Sequence, residues 1–579
     1  VSSLFVCKIE EHFPYPTMRR GQAEFIYAVL RSLKGGINVI EAPSGLGKTS
    51  GVLSAISCLS ELERARFIYA VRTHSQVSRV MEECLKFPKI RMIALRGKGE
   101  ICINWKVRRI KNNFLMNMKC EELRKLGNCP YYPPKIREAR RCHDPLLLEV
   151  DSCPYYASLG IINGYDAVVL CYPYLFEEEL YSVLKGFDPD YLIIDEAHNL
   201  RKFWLSRIVT TIEIEKIERV LDSLCERWID IVRSLRRSGL QSLEVPKNYL
   251  IYLLRECLSS VPKPFEHFSK WILSEVEGSK RIILELPNLI FLKGVDRSLE
   301  ESLKRFKSVL LISGTWSEEV ARGEILEELN YERISLDRWG EVASFIVRDF
   351  TTRFEERSRL EFYRIASTLA ELSEAVVGNM GIFASSYEVL QGILNAGFEN
   401  MVEKPIFIER KDMDSHELSR MISEFKSMSS IGAILLGVQG GRSSEGEDFP
   451  GLQMTASIVL GLQLSKPDTL GRVQEILWRR YTKLEDPILI NACRSAIQAA
   501  ARPVRSQDDM GFIAFVDRRF SSCLSMMPPW MRRGIKYVRL EDLVPSAQEF
   551  FNRKSPMKGM DVAEDMFPSS ESRCYEEGS

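Results

Sequence analysis

Residues 41–49, EAPSGLGKT, decide the fold. They follow the apolar run INVI (37–40) and precede SGVLSAI (50–56), which reads as strand, glycine-bearing loop and helix. Gly45 and Gly47 let the backbone wrap, so that its N–H groups, with Ser44, face phosphate oxygens. Lys48 is placed to reach the β- and γ-phosphates, and the Thr49 hydroxyl to ligate Mg²⁺. An ordinary glycine-rich turn is the rival reading. The strand–loop–helix setting and the Gly-Lys-Thr triplet argue against it.

Working outward, RFIYAVRTHSQ (66–76), DAVVLCYPYL (166–175), YLIIDEAHNL (191–200) and SVLLISGTW (308–316) each carry a short apolar run ending in polar residues. Such runs fit strands buried on both faces of a parallel sheet, whose carboxyl ends place ligands. Asp195 at the end of one run can hold Mg²⁺ beside the loop, and Glu196 can orient and deprotonate the attacking water. The pattern repeats in NMGIFASSYE (379–388), GAILLGVQGGRSSEG (432–446), SIVLGLQL (457–464) and GFIAFVDRRF (511–520), predicting a second parallel sheet. Gln498, Arg502 and Arg505, in QAAARPVR (498–505), are expected on one helical face, with the arginines offered to a phosphate transition state. Pro503, which follows Arg502, removes a backbone donor and bends the chain there.

The predicted class is α/β. Boundaries are drawn at 1–99, 156–202 and 306–335 for the first domain and its link, and 336–551 for the second. Residues 100–155 form a cysteine-bearing insertion, 203–305 a helical one, and 552–579 a polar tail read as disordered. The helical reading rests on the three- and four-residue apolar spacing of IEIEKIERVLDSLCERWIDIVRSLRR (212–237). At 579 residues the chain is too long for one core, and its 79 basic and 79 acidic residues make any basic surface local. No apolar run is long enough for a membrane span, and VSSLFVCKIEEHF (1–13) lacks signal-peptide character. The reading is of a cytoplasmic protein without membrane association.

Five of the 14 cysteines cluster at Cys102, Cys120, Cys129, Cys142 and Cys153, amid 11 Lys/Arg and four acids over residues 101–145, a local net charge of +7. Trp105, Phe114, Tyr131, Tyr132, Tyr155 and Tyr156 are interleaved. Basic charge tracks a phosphate backbone, and aromatic rings stack on unpaired bases. For one residue alone, a solvated face or packing within the small domain is the better reading. The cysteine spacing leaves a zinc site open, because four thiolates suit zinc as well as an iron–sulfur cluster.

In order, these motifs resemble the superfamily 2 helicases and, within them, the iron–sulfur XPD-type family. FPYP (13–16) with Gln22 resembles the adenine-side element, VRTHSQ (71–76) the Ia motif, and Asp195–His198 the DEAH box. Ser313–Thr315 resembles the coupling motif, and TTRFEER (351–357) and FASSY (383–387) early second-domain motifs. GGRSSEGEDF (440–449) and QAAARPVR (498–505) resemble the fifth and sixth motifs. Two RecA-like motor domains are implied, the first carrying an iron–sulfur domain and a helical arch. So is an ATP- and Mg²⁺-dependent helicase moving 5′→3′ on single-stranded DNA and splitting forked duplex at an iron–sulfur wedge, in repair such as nucleotide excision repair.

By the resemblance, Cys102, Cys120, Cys129 and Cys153 hold a [4Fe–4S] cluster, with Cys142 able to replace Cys129. Gln22, Ser44, Gly45, Gly47, Lys48, Thr49 and Asp195 bind the nucleotide. Lys48, Asp195, Glu196, His198, Gln498, Arg502 and Arg505 carry the catalysis. Arg72, Thr73, Gln76, Arg353, Arg442, Ser443 and Tyr155 contact DNA. An archaeal, monomeric enzyme is the expectation, nucleoid-associated and with repair partners the sequence does not identify. The rivals are a DNA damage or junction sensor with weakly coupled ATPase, and a P-loop kinase or AAA-type remodeller.

Overall fold

Each of the five apolar runs of the first half becomes a strand of one sheet. The computed structural model describes residues 8–552, except 63–64, 111, 136–139, 148–150, 216–229, 231–232, 235–236, 239–241, 259–265, 286–287, 295–296, 337–338, 414, 442, 444–446 and 465–468. The strands β1 (Gly36–Glu41), β2 (Phe67–Val71), β3 (Met92–Ala94), β4 (Cys142–His143), β5 (Ala167–Cys171) and β6 (Tyr191–Ile194) come first. The chain then leaves to form β7 (Val209–Glu213), β8 (Leu243–Glu244), β9 (Ser279–Glu285) and β10 (Asn288–Lys293), and returns as β11 (Ser308–Ser313) and β12 (Leu329–Arg333). The first sheet has the order β12-β1-β11-β6-β2-β5-β3-β4, with parallel pairing throughout. Its interior strands are buried on both faces, which is why they read as continuous Val/Ile/Leu runs. The helices α1 (Gln22–Ser32), α2 (Lys48–Leu62) and α3 (His74–Cys84) pack one face with Phe25, Ile56 and Val80. Trp204, Trp316 and Leu303 cover the other.

The second sheet takes β13 (Glu341–Val347), β14 (Met380–Ala384), β15 (Ile406–Ile408), β16 (Ile434–Val438), β17 (Ala456–Leu460), β18 (Met510–Val516) and β19 (Lys536–Val538). Its order is β15-β16-β14-β17-β18-β13-β19, again parallel. The molecule therefore has two RecA-like parallel-sheet α/β domains, as expected.

The expected helical character of 203–305 is corrected. β7, β10, β9 and β8 make a four-stranded antiparallel sheet beside the helices Lys247–Leu258 and Glu266–Gly278. Along β9, Ile282 and Leu284 are buried while Arg281 is exposed, a two-residue alternation that suits a half-buried strand. The three- and four-residue spacing came from 212–237, which begins in β7 and whose remainder lies mostly outside the described residues. The cysteine-bearing insertion also gives β4 to the edge of the first sheet, where Cys142 pairs with Met92. The tail at 553–579 lies outside the described residues. Among the described residues no helix is long and apolar enough to cross a membrane.

Candidate nucleotide site and thiol cavity

α2 begins at Lys48, so the loop 42–47 delivers backbone N–H groups to the positive end of that helix. Gly45 and Gly47 both take φ +82°, the left-handed region that favours glycine. A Cβ on Gly45 would lie 1.6 Å from the Arg505 carbonyl oxygen, and one on Gly47 would lie 2.3 Å from Gln22 Nε2. The second domain thus walls one side of the loop and Gln22 the other. Buried Gln22 donates from Nε2 to the Gly47 carbonyl at 3.2 Å and accepts from the Arg19 N–H at 2.9 Å. The Arg19 guanidinium donates to the Gly45 carbonyl. Lys48 Nζ folds back over the loop, 3.3 and 3.4 Å from the Ala42 and Pro43 carbonyl oxygens. Thr49 follows in the first turn of α2. Gly314 packs on the loop from the β11 side, where a Cβ would meet Ser44 Oγ at 3.3 Å.

β6 ends at Ile194, and the Asp195 N–H donates to the Ala70 carbonyl at 3.0 Å. Burial, and then the Glu196 charge, push the Asp195 carboxyl up to about 6 against the opposing pull of Lys48. Glu196 adopts φ +52°, uncommon for a residue with a side chain. Its N–H donates to Asp195 Oδ1 at 2.9 Å, and its carbonyl accepts from the Tyr172 hydroxyl at 3.1 Å.

His198 is the junction between the two domains. Its Nε2 faces two amide donors, Asn199 Nδ2 at 2.8 Å and Gln498 Nε2. Nε2 is therefore the acceptor, and Nδ1 carries the proton toward Ser313 Oγ at 2.8 Å. Ser313 Oγ also accepts from the Thr315 N–H at 3.1 Å. Burial, and next Arg494, hold the imidazole well below its ordinary value, so it is neutral. Gln498 lies on the helix Pro487–Ala500, and Arg494, one turn before it, reaches the same site. Arg494 donates to the His198 carbonyl at 2.9 Å and to Glu324 Oε1 at 2.9 Å, both charges being buried. Sequence reading missed Arg494 and Glu324; the four-residue spacing from Gln498 was the available signal.

The expected single helical face for Gln498, Arg502 and Arg505 is corrected. The helix stops at Ala500, because Pro503 cannot continue it and disfavours helical geometry at the residue before it. Both arginines nevertheless reach the cleft from the turn. Arg502 is buried and donates to the Glu447 carbonyl, and burial followed by Arg505 lowers its guanidinium to about 9. Arg505 pairs with Asp448 at 3.4 Å. Asp448 also faces Arg79 of α3 at 3.6 Å.

The expected DNA residues divide. Thr73 and Gln76 form the capping box of α3, and Gln76 Oε1 accepts from the Arg72 and Thr73 N–H groups at 3.0 Å each. Half-buried Arg72 lies within the fields of Tyr172 and Glu196, toward the nucleotide site. Arg353 is exposed. Two expectations are corrected. Ser443 is 0% exposed and donates to Glu409, and Tyr155 is 6% exposed, with Lys98 Nζ 5.0 Å from its ring centroid. Neither is open to a strand. Arg442 lies outside the described residues.

Cys102, Cys120, Cys129 and Cys153 line one small cavity of about 20 Å³, with Arg124 and Tyr156 on its wall. The helix Asn113–Lys125 carries Cys120, and Cys153 caps the helix Pro154–Ile161. Burial raises the thiols of Cys102 and Cys120 and pushes Cys153 up to about 11; each also feels the charge of its neighbours. Lys98 and Arg124 oppose that rise at Cys120. Among the described residues no three His, Cys, Asp or Glu side chains come together to hold a metal ion. Cys142 is elsewhere, its sulfur 2.7 Å from that of Cys84.

Comparison with known proteins agrees with this construction. A helicase C-terminal domain model matches residues 369–534, and a DEAD_2 model matches residues 69–217. The chain is 22% identical to the general transcription and DNA repair factor IIH helicase subunit XPD of Dictyostelium discoideum, over 90% of this chain and 88% of that protein. It is 22% identical to the ATP-dependent DNA helicase XPD of Sulfolobus acidocaldarius, over 87% of this chain and 96% of that one. A solved XPD helicase structure covers 91% of this chain and all of its own with TM-score 0.64 at 18% identity. The S. tokodaii Xpd4 structure covers 90% of this chain and all of its own at TM-score 0.58 and 18% identity. With its nucleotide loop, acidic strand end and second-domain arginines assembled in one cleft, the chain belongs to the XPD-type family of DNA helicases.

Proposed function

We propose that the protein is an ATP-dependent helicase that moves 5′→3′ along single-stranded DNA and splits forked duplex at its cysteine-bearing insertion, in DNA repair. The observation that carries this reading is the path from Ser313 through His198 to Gln498, which joins the nucleotide site of the first domain to the helix before Arg502 and Arg505. Motor action needs such a connection, because hydrolysis must change the relation between two domains.

In this reading Lys48 leaves the Ala42 and Pro43 carbonyls for the phosphates. Thr49 and Asp195 would hold Mg²⁺, which supplies charge neutralisation on the phosphate oxygens. Glu196 orients the water and accepts its proton. Arg502 and Arg505 offer positive charge from across the cleft, where low dielectric makes it count for more. When the γ-phosphate leaves, the arginines lose their counter-charge, and Gln498 and Arg494 are free to separate from His198.

The four cavity thiols fit an iron–sulfur cluster. They line one cavity, and thiolates are the ligands such a cluster takes. Bound there, a [4Fe–4S] cluster would supply a rigid cross-link between segments that, among the described residues, share a small apolar core of Val107, Met116 and Leu123. Trp105 is 59% exposed, with the Arg109 guanidinium 4.9 Å from its ring centroid, an arrangement suited to unpaired bases. The test is ATP turnover with and without single-stranded DNA. Strong stimulation is expected; equal rates would refute the motor and favour a sensor.

A further inference from the structure

The fifth cysteine of the cluster has a partner that spacing could not reveal. Cys84 ends α3 and Cys142 opens β4, yet their sulfurs lie 2.7 Å apart. Both backbones are held in that relation from separate directions. Cys142 is registered against Met92 in the β3–β4 pair. Its neighbour Arg141 turns back onto the end of α3, donating to the carbonyls of Cys84 at 3.4 Å, Leu85 at 2.9 Å and Phe87. A cation on the last carbonyls of a helix is a favourable cap, so the junction is specified by more than the thiols. The same chain holds a Cys493–Cys523 disulfide, and Cys58 is disulfide-bonded as well.

We infer that Cys84 and Cys142 form a disulfide that closes the segment carrying Cys102, Cys120 and Cys129. The linkage itself does not depend on what the cavity holds. Its chemistry needs only a low-molecular-weight disulfide as oxidant. Half-buried Cys142 attacks that disulfide as thiolate, forming a mixed disulfide and releasing one small thiol. Buried Cys84 then attacks the Cys142 sulfur as thiolate and expels the second small thiol. The protein pair loses two electrons, the small disulfide gains them, and two protons pass from the protein thiols to the two released thiols. The second step requires no outside access to Cys84. Cys142 is half-buried and Cys84 buried, which assigns the roles of attacking and resolving sulfur.

Two consequences follow for the site described above. A cross-link across this segment restricts its unfolded ensemble, so three of the four cavity thiols stay near one another before any cluster is present. The fifth thiol is also withdrawn from competition with Cys129.

The experiment treats the full chain with oxidised glutathione, blocks remaining thiols under denaturing conditions, and maps peptides without reductant. A cross-linked Cys84–Cys142 peptide that disappears on reduction is expected. Recovery of both cysteines blocked by the alkylating agent, or of Cys142 bearing glutathione with Cys84 alkylated, overturns the inference. A second measurement is limited proteolysis within residues 101–141 of the full chain, expected to be several-fold slower in the oxidised wild type than in Cys142→Ser. Equal cleavage rates, with the link present, would remove the proposed organising role. Iron content is measured in parallel, so a cavity that takes no iron is distinguished from a disulfide that does not form.

Discussion

Arg494 of the second domain lies 2.9 Å from Glu324 Oε1 of the first, and neither side chain is open to solvent. Arg201 Nε donates to the Glu324 carbonyl at 2.8 Å and its guanidinium to Glu300, so the pair belongs to a buried network between the sheets. Removing one partner of a buried pair leaves the other uncompensated, a loss of about 3–5 kcal/mol. Burial raises the Glu324 carboxyl, and Arg494 is the leading group that opposes that rise. Arg494→Ala is expected to lower the denaturation midpoint and kcat together, with Arg494→Lys recovering stability more fully than kcat, because a single lysine nitrogen does not reproduce the two-nitrogen fork between His198 and Glu324. Wild-type stability in Arg494→Ala would contradict this network.

Lys48→Ala should reduce ATP turnover by about 100-fold or more, the scale for removing one charge-stabilising group from a phosphoryl site. DNA binding, measured by fluorescence anisotropy at fixed salt, should persist, because Lys48 lies over the carbonyls of Ala42 and Pro43 in the nucleotide loop.

Gln498→Ala removes one amide from His198 Nε2 but leaves Asn199 in place. ATP hydrolysis is therefore expected to survive in part while unwinding per ATP falls. Proportional loss of both would show that Gln498 acts in the chemical step and not in coupling between domains.

Cys102→Ser should lose iron and duplex unwinding yet keep DNA-stimulated ATPase, since the thiol cavity and the phosphate loop are built by different segments. Undiminished unwinding by the iron-free variant would refute the wedge.

The parts legible in the sequence were those with local signatures. β1, β2, β5, β6 and β11 declare themselves as buried parallel strands, and EAPSGLGKT places Lys48 and Thr49 without further help. Three-dimensional direction was less legible. Ser443 and Tyr155 are of types that suit DNA contact, but packing turned both inward. β9 and β10 were hidden because their apolar clusters lie beside a strongly helical spacing. Cys84 and Cys142 are registered by a sheet edge and an arginine cap, neither of which spacing encodes. Arg494 was an arginine on a helix until Glu324 and His198 were placed around it.

The most direct measurement compares unwinding of matched 5′-tailed and 3′-tailed duplexes by anaerobically purified protein with ATP and Mg²⁺. Separation of the 5′-tailed duplex, with the 3′-tailed one left intact, is expected. Preference for the 3′ tail, or no separation by iron-loaded protein whose ATPase responds to single-stranded DNA, would contradict the proposed 5′→3′ helicase.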